Sequence, residues 1–238
     1  MQNSDYLISE NPMKALVFFS LPMIIGNLFQ QAYTMADSAI VGRLVGENAL
    51  AAVGAAYSLT NIFICIAIGG GIGASVIVSQ YFGRGSYGKL KKAVYTALIS
   101  FLLISGLLGG FGLLFSRKIM IALNTPAEVL DMSVTYLKIY FLGLPFLFMY
   151  NVLSSMFNAL GKSRIPLYFL IFSSVFNIVL DWIFVANFHL DVAGVAWATL
   201  IAQGASVVGS FTILLKELQT MEGNADGIFA KEELLPMT

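Results

Sequence analysis

Residues 165–186, IPLYFLIFSSVFNIVLDWIFVA, form an apolar run long enough to cross a bilayer as a helix, with Asn177 and Asp181 in its second half. A carboxylate in hydrocarbon costs several kcal/mol, about 3 on insertion scales, so such residues face a protein interior or a water-filled path. Four residues along a helix place Asn177 and Asp181 on one face, about 6 Å apart in rise, where both side chains can turn toward one ligand. This stretch confines the chain to folds in which neighbouring helices hide a polar site from lipid.

Composition agrees. Hydrophobic residues make up 58% and charged residues 11% of the chain, against roughly 45 to 50% and 25% in soluble domains, as expected of an integral membrane protein. Net charge is zero, and the 13 basic residues fall in short clusters between apolar runs, so no nucleic-acid partner is expected. The single cysteine, Cys65, excludes an internal disulfide and a multi-cysteine metal cage. Its place in the middle of an apolar run predicts a buried small hydrophobe. Residues 1–13 lack the basic start and small-residue cleavage site of a signal peptide, so the mature chain is expected to begin here.

Six apolar runs follow, at about 15–41, 49–81, 93–115, 136–160, 165–186 and 192–215. They predict an all-α, polytopic bundle of six transmembrane helices over residues 15–217, between a terminal segment at 1–14 and a polar linker at 218–238. The first run carries Pro22, which invites a bend, and the polar residues Asn27, Gln30, Gln31 and Asp37. In the second and third runs, Gly69 with Gly73, and Gly106 with Gly110, read as points of close helix approach. A phosphate-cradling loop would need a preceding strand and a lysine, and both are missing there. Residues 83–92 read as a basic loop and residues 116–135 as a polar connection, in which TPAEV predicts a helix start with Thr125 as cap and Pro126 in the first turn.

Six spans put both termini on one side. Lys14, Arg84, Lys89, Lys91, Lys92, Lys162, Arg164, Lys216 and Lys231 fall on that side, against Arg43, Arg117, Lys118 and Lys138 on the other. The excess predicts cytoplasmic termini in a plasma (inner) membrane. At 1.5 Å per residue, Asp37, Asp181 and Thr199 then lie roughly 9, 12 and 12 Å below the outer helix ends, and Asn177 roughly 18 Å. Oxygen ligands without His or Cys suit a hard cation such as Na⁺, or the two acids could share a proton. The plainer alternative is that the acids are hydrated near the interface or merely tie helices together. No other cofactor is expected.

LPMIIGNLFQQAYTMADSAIVGRLVGENALAAVG resembles the first helix and following loop of multidrug and toxic compound extrusion (MATE) transporters. FNALGKSRIPL resembles that family's connection between the fourth and fifth helices, and FNIVLDWIF its fifth helix. The resemblance covers residues 10–217 and implies an antiporter that expels amphipathic, often cationic, compounds in exchange for Na⁺ or H⁺. It matches Asp37, Asn177, Asp181 and Thr199 to the family's cation site. Tyr33, Gln31 and Asn151 match the surrounding polar network or substrate cleft, and Pro22 a proline that bends the first helix. The family has twelve helices in two lobes, so this chain is expected to be one lobe whose partner is a missing C-terminal six-helix lobe, with the bilayer around it. A truncated or isolated lobe is favoured over a half-transporter working as a homodimer.

Three rival readings make different demands on the sequence. A lipid-linked sugar flippase of the same superfamily should carry basic residues within the membrane, and these spans have no clearly buried Arg or Lys. An intramembrane aspartyl protease would use the two acids as a dyad, without need of the Asn and Thr. A structural membrane protein would not respond to ions. The aromatic and methionine residues could line a substrate pocket, but any lipid-facing bundle carries them too.

Overall fold

The computed structural model describes residues 12–221 and folds them into six helices joined by short turns. These are α1 (Pro12–Ile40), α2 (Glu47–Gly83), α3 (Tyr87–Ala122), α4 (Ala127–Ala159), α5 (Arg164–Trp182) and α6 (Asp191–Thr220). One π-helical turn, Val41–Val45, continues α1, and another, Ile183–Asn187, continues α5. Helices α2, α3, α4, α5 with its extension, and α6 are each long and apolar enough to cross a membrane. Helix α1 has the length, at 29 residues, but interrupts its apolar surface with Asn27, Gln30, Gln31, Thr34, Asp37 and Ser38. The result is an all-α, multi-pass membrane bundle.

Helix α4 is its axis. The half containing Met149, Val152, Leu153, Met156 and Phe157 packs with Ala74 and Val78 of α2, Leu90, Ala93 and Val94 of α3, and Leu214 and Leu218 of α6. Its other half, with Leu137, Phe141, Leu144 and Phe148, packs on Ala56 and Ala67 of α2 and Met120 of α3. Lipid tails are as apolar as these side chains, so close packing and interhelical hydrogen bonds hold the helices together. Tyr140 Oη donates to Thr60 O (3.0 Å) and Ser133 Oγ to Ala52 O (3.2 Å), tying α4 to α2.

Glycines set the approach of α3 to α4, but not the expected ones. Gly69, Gly106 and Gly110 have open space where a Cβ would stand. A Cβ on Gly109 would lie 2.7 Å from the Phe141 carbonyl oxygen, and one on Gly112 would overlap the Phe141 ring. In the second run, Gly70 abuts Phe101 of α3 and Gly71 abuts Ser155 of α4. Small residues mark the contact faces, one or two positions from where spacing alone put them.

Other boundaries differ in the same way. Helix α3 begins at Tyr87, so Lys89, Lys91 and Lys92 lie in its first turns, beside the buried Leu90, Ala93 and Val94. The connection expected at 116–135 is a short turn at 123–126, because α3 and α4 run on as helices beyond their apolar segments. Arg117 and Asp131 pair across it at 2.7 Å. Pro126 takes the N-cap place (φ −55°, ψ 141°) instead of the first turn, and Thr125 supplies no side-chain cap. Its backbone N–H instead bonds Met120 O, closing α3. Cys65 is exposed, since an apolar neighbourhood in sequence does not distinguish lipid from core. Helix α6 continues through Lys216 and Glu217 to Thr220. Of the terminal segments, residues 1–11 and 222–238 lie outside the described residues.

Two lysines fasten the end of α6. Lys162, in the turn between α4 and α5, forms an ion pair with Glu217, and Lys91 Nζ donates to Met221 O at 2.9 Å.

Candidate cation site

The first helix brings Tyr33 and Asp37 against α5, one helical turn apart on a single face. Helix α5 presents Asn177 and Asp181, 2% and 0% exposed, and α6 presents Thr199. Thus four of the expected cation-site residues, with Tyr33, meet between three helices. The carboxyl groups of Asp37 and Asp181 lie within hydrogen-bonding reach of each other.

Asn177 organises the centre. Its amide satisfies both ends when the nitrogen faces Tyr33 Oη (2.6 Å) and Asp181 Oδ2 (3.1 Å) and the oxygen accepts from the Thr199 backbone N–H (3.0 Å). In this arrangement Asn177 donates to the carboxylate and locks α5 onto α6. Thr199 Oγ1 donates to Val195 O at 3.1 Å and lies within hydrogen-bonding reach of Tyr33. Oδ1 of Asp37 and Oδ1 of Asp181 are both buried and receive no hydrogen bond. Two ionised carboxylates this close repel, and a proton or a small hard cation between them removes the repulsion. The donor set therefore fits a cation, with the two carboxylates as first ligands and the Thr199 hydroxyl in reserve.

The remaining candidates sit elsewhere. Pro22 is buried within a helix that continues unbroken through it. Gln31 is exposed on α1. Asn151 Nδ2 donates to Leu147 O (2.8 Å) within α4, and its backbone carbonyl packs near Gly71 of α2, so it belongs to the α2–α4 seam.

Sequence reasoning missed Tyr136. This α4 residue lies within electrostatic range of both carboxylates, with Tyr140 one turn away. Its signal is Tyr136, Tyr140 and Gly143 at helical spacing, at the very start of the fourth apolar run. Also missed was a polar cavity of about 50 Å³ beside the cluster. Gln30, Tyr150, Ser173, Ser174 and Gln203 line it together with Tyr33, Asn177 and Thr199, and only Leu170 and Ala202 add apolar surface. A second space of about 30 Å³ lies on the other side of Thr199 and Gln203, against Tyr136 and Tyr140.

A family model described as MatE matches residues 22–183. The chain belongs to the MatE family. It is 32% identical over 212 residues to the probable multidrug resistance protein YpnP of Bacillus subtilis (strain 168), covering 87% of this chain and 47% of YpnP. It is 28% identical over 236 residues to the multidrug export protein MepA of Staphylococcus aureus (strain MRSA252), covering 97% of this chain and 51% of MepA. The fold superimposes with a TM-score of 0.90 on an outward-facing multidrug resistance MATE family transporter of the MOP superfamily, at 24% identity, covering 100% of this chain and 53% of that one. The MatE chain thus spans about half the length of these relatives. The relatives are transporters, not enzymes.

Proposed function

We propose that this MatE lobe belongs to a secondary active exporter that expels amphipathic, often cationic, compounds by antiport with Na⁺ or H⁺. The observation that carries this reading is the meeting of two buried carboxylates whose Oδ1 atoms have no donor, on helices that are 144 residues apart at Tyr33 and Asn177. A coupling ion settles between Asp37 and Asp181, cancels their repulsion and draws α1 toward α5. Release of the ion restores the repulsion. Coupling to export requires that the ion and the exported compound favour different arrangements of α1. The termini face the cytoplasm of a plasma membrane, supported by the nine basic residues on their side against four on the other. Among the described residues no Lys or Arg is buried, which counts against a pyrophosphate-binding flippase.

The test is efflux of a fluorescent organic cation from vesicles holding the full-length protein, under an imposed Na⁺ gradient and separately under a pH gradient. One gradient is expected to drive efflux, and Asp37→Asn and Asp181→Asn to abolish it while leaving insertion intact. Normal efflux from both variants would remove the coupling role.

A further inference from the structure

The outward face of α5 and α6 is marked at both ends. On α5, Tyr168, Phe172, Val175, Val179 and Trp182 recur at helical spacing and are 49% to 63% exposed. The exposed Arg164 stands one turn before Tyr168. On α6, Trp197, Ile201, Val208 and Thr212 turn outward in the same way, and the exposed Lys216 stands one turn after Thr212. Each stripe therefore has a cation at its termini-side end and one of the chain's two tryptophans toward the other.

The two stripes are in register. Helices α5 and α6 run in opposite directions and come close where a Cβ on Gly209 would lie 2.7 Å from the Phe169 ring. At 1.5 Å per residue, Arg164 and Lys216 lie about 8 and 11 Å from that crossing toward the termini side, and Trp182 and Trp197 about 20 and 18 Å the other way. Cation to tryptophan is thus about 27 Å on α5 and about 29 Å on α6, close to the roughly 30 Å of a bilayer's hydrocarbon core. Tryptophan settles at headgroup level, and Arg and Lys extend their charged tips to the same level on the other side.

Charge sets the termini-side end of this face apart. Lys162, in the α4–α5 turn, takes Glu217, the one acidic residue at the termini-side helix ends among the described residues. That ion pair ties the start of α5 to the end of α6. Arg164, two residues from Lys162, and Lys216, next to Glu217, are left beside it without an acidic partner among the described residues. Two uncompensated cations held at headgroup depth, above a pair of apolar stripes, fit a molecule with an anionic head and long apolar tails. We infer that Arg164 and Lys216 bind the phosphate headgroup of an anionic phospholipid whose acyl chains lie along the α5–α6 face. Such a lipid bridges the two helices that carry Asn177, Asp181 and Thr199. This goes beyond the proposed export and stands on the membrane-spanning fold, whichever ion drives transport.

The test is photo-crosslinking of the full-length protein in phosphatidylcholine vesicles containing a trace of phosphatidylglycerol with a diazirine on its acyl chain, the labelled peptides being read by mass spectrometry. Labelling of residues 165–182 and 197–215 is expected to be competed by unlabelled phosphatidylglycerol and not by the zwitterionic phosphatidylethanolamine. Arg164→Gln and Lys216→Gln are each expected to raise the phosphatidylglycerol needed for half-competition about fivefold, the order that one basic residue at an anionic surface supplies. Either variant suffices if the other does not insert. Arg84→Gln, which removes an exposed cation at the end of α2 on the same side, is expected to leave the competition unchanged. Equal competition by phosphatidylethanolamine, or an equal loss from Arg84→Gln, overturns the site and leaves ordinary bilayer contact. A carbodiimide link from Lys216 to Glu232 or Glu233 that excess phosphatidylglycerol does not diminish would give the cations to acidic residues of this chain or of a second copy, and also overturns it.

Discussion

Helices α1 and α4 are both long, and both contain a proline, Pro22 and Pro145, yet they hold opposite places in the lobe. Helix α4 carries buried residues from Val129 to Phe157 and contributes to both large core clusters. Helix α1 presents Leu21, Ile24, Leu28 and Met35 outward and meets the bundle mainly through α5, where Gly26 touches Leu167 and Leu170. The scaffold helix brings one phenol, Tyr136, near the cation site, and the peripheral helix brings a carboxylate. Asp37 thus hangs on the helix with the least packing to disrupt.

Substitutions test that contrast, beginning with the largest effect. Asp37→Asn on α1 is expected to reduce ion-driven efflux to the level of empty vesicles while the thermal midpoint of the purified protein barely moves. A collapse of stability would make α1 part of the scaffold. Next, Gly109→Ala forces a methyl against the α4 backbone and is expected to cost about 1 to 3 kcal/mol, measured as a fall in unfolding midpoint. Gly26→Ala meets only ordinary contacts at 3.6 and 3.7 Å, and is expected to change stability by less than about 1 kcal/mol. Equal losses at the two glycines would erase the distinction.

Smaller effects follow. Tyr136→Phe removes one hydroxyl near the acids, and efflux is expected to slow about three- to tenfold, in line with the loss of a single hydrogen bond. Lys162→Met breaks the partly buried pair with Glu217 and is expected to cost about 1 kcal/mol in a denaturation measurement. Arg117→Ala removes the exposed pair with Asp131, whose side chains are 60% and 83% exposed, and should fall within about 0.5 kcal/mol of the parent in the same assay.

The six helices were legible because each run of apolar residues is long enough for a bilayer, and two acids in such runs cannot face lipid. Counting residues from the helix ends was enough to bring Asp37, Asn177, Asp181 and Thr199 to neighbouring depths. Which face of a helix packs was harder to read. In water a buried face is apolar and an exposed one polar, but in a membrane both can be apolar. Cys65 and Gly106 turned outward, and Gly109 and Gly112 inward, without a difference in hydropathy to announce it. Helix ends were misjudged for the opposite reason. Charges at Arg117, Glu128 and Asp131 end the apolar signal while the backbone continues as helix. Tyr136 is the first residue of the fourth apolar run, where spacing alone does not say which face turns toward the acids.

The two lysine attachments at the end of α6 have a mechanical consequence. Met221 is held by Lys91 of α3 and Glu217 by Lys162 of the α4–α5 turn. Tension arriving at Met221 is therefore shared between these two attachments and not borne by the last turn of α6 alone. The lobe takes such a load as a solid piece.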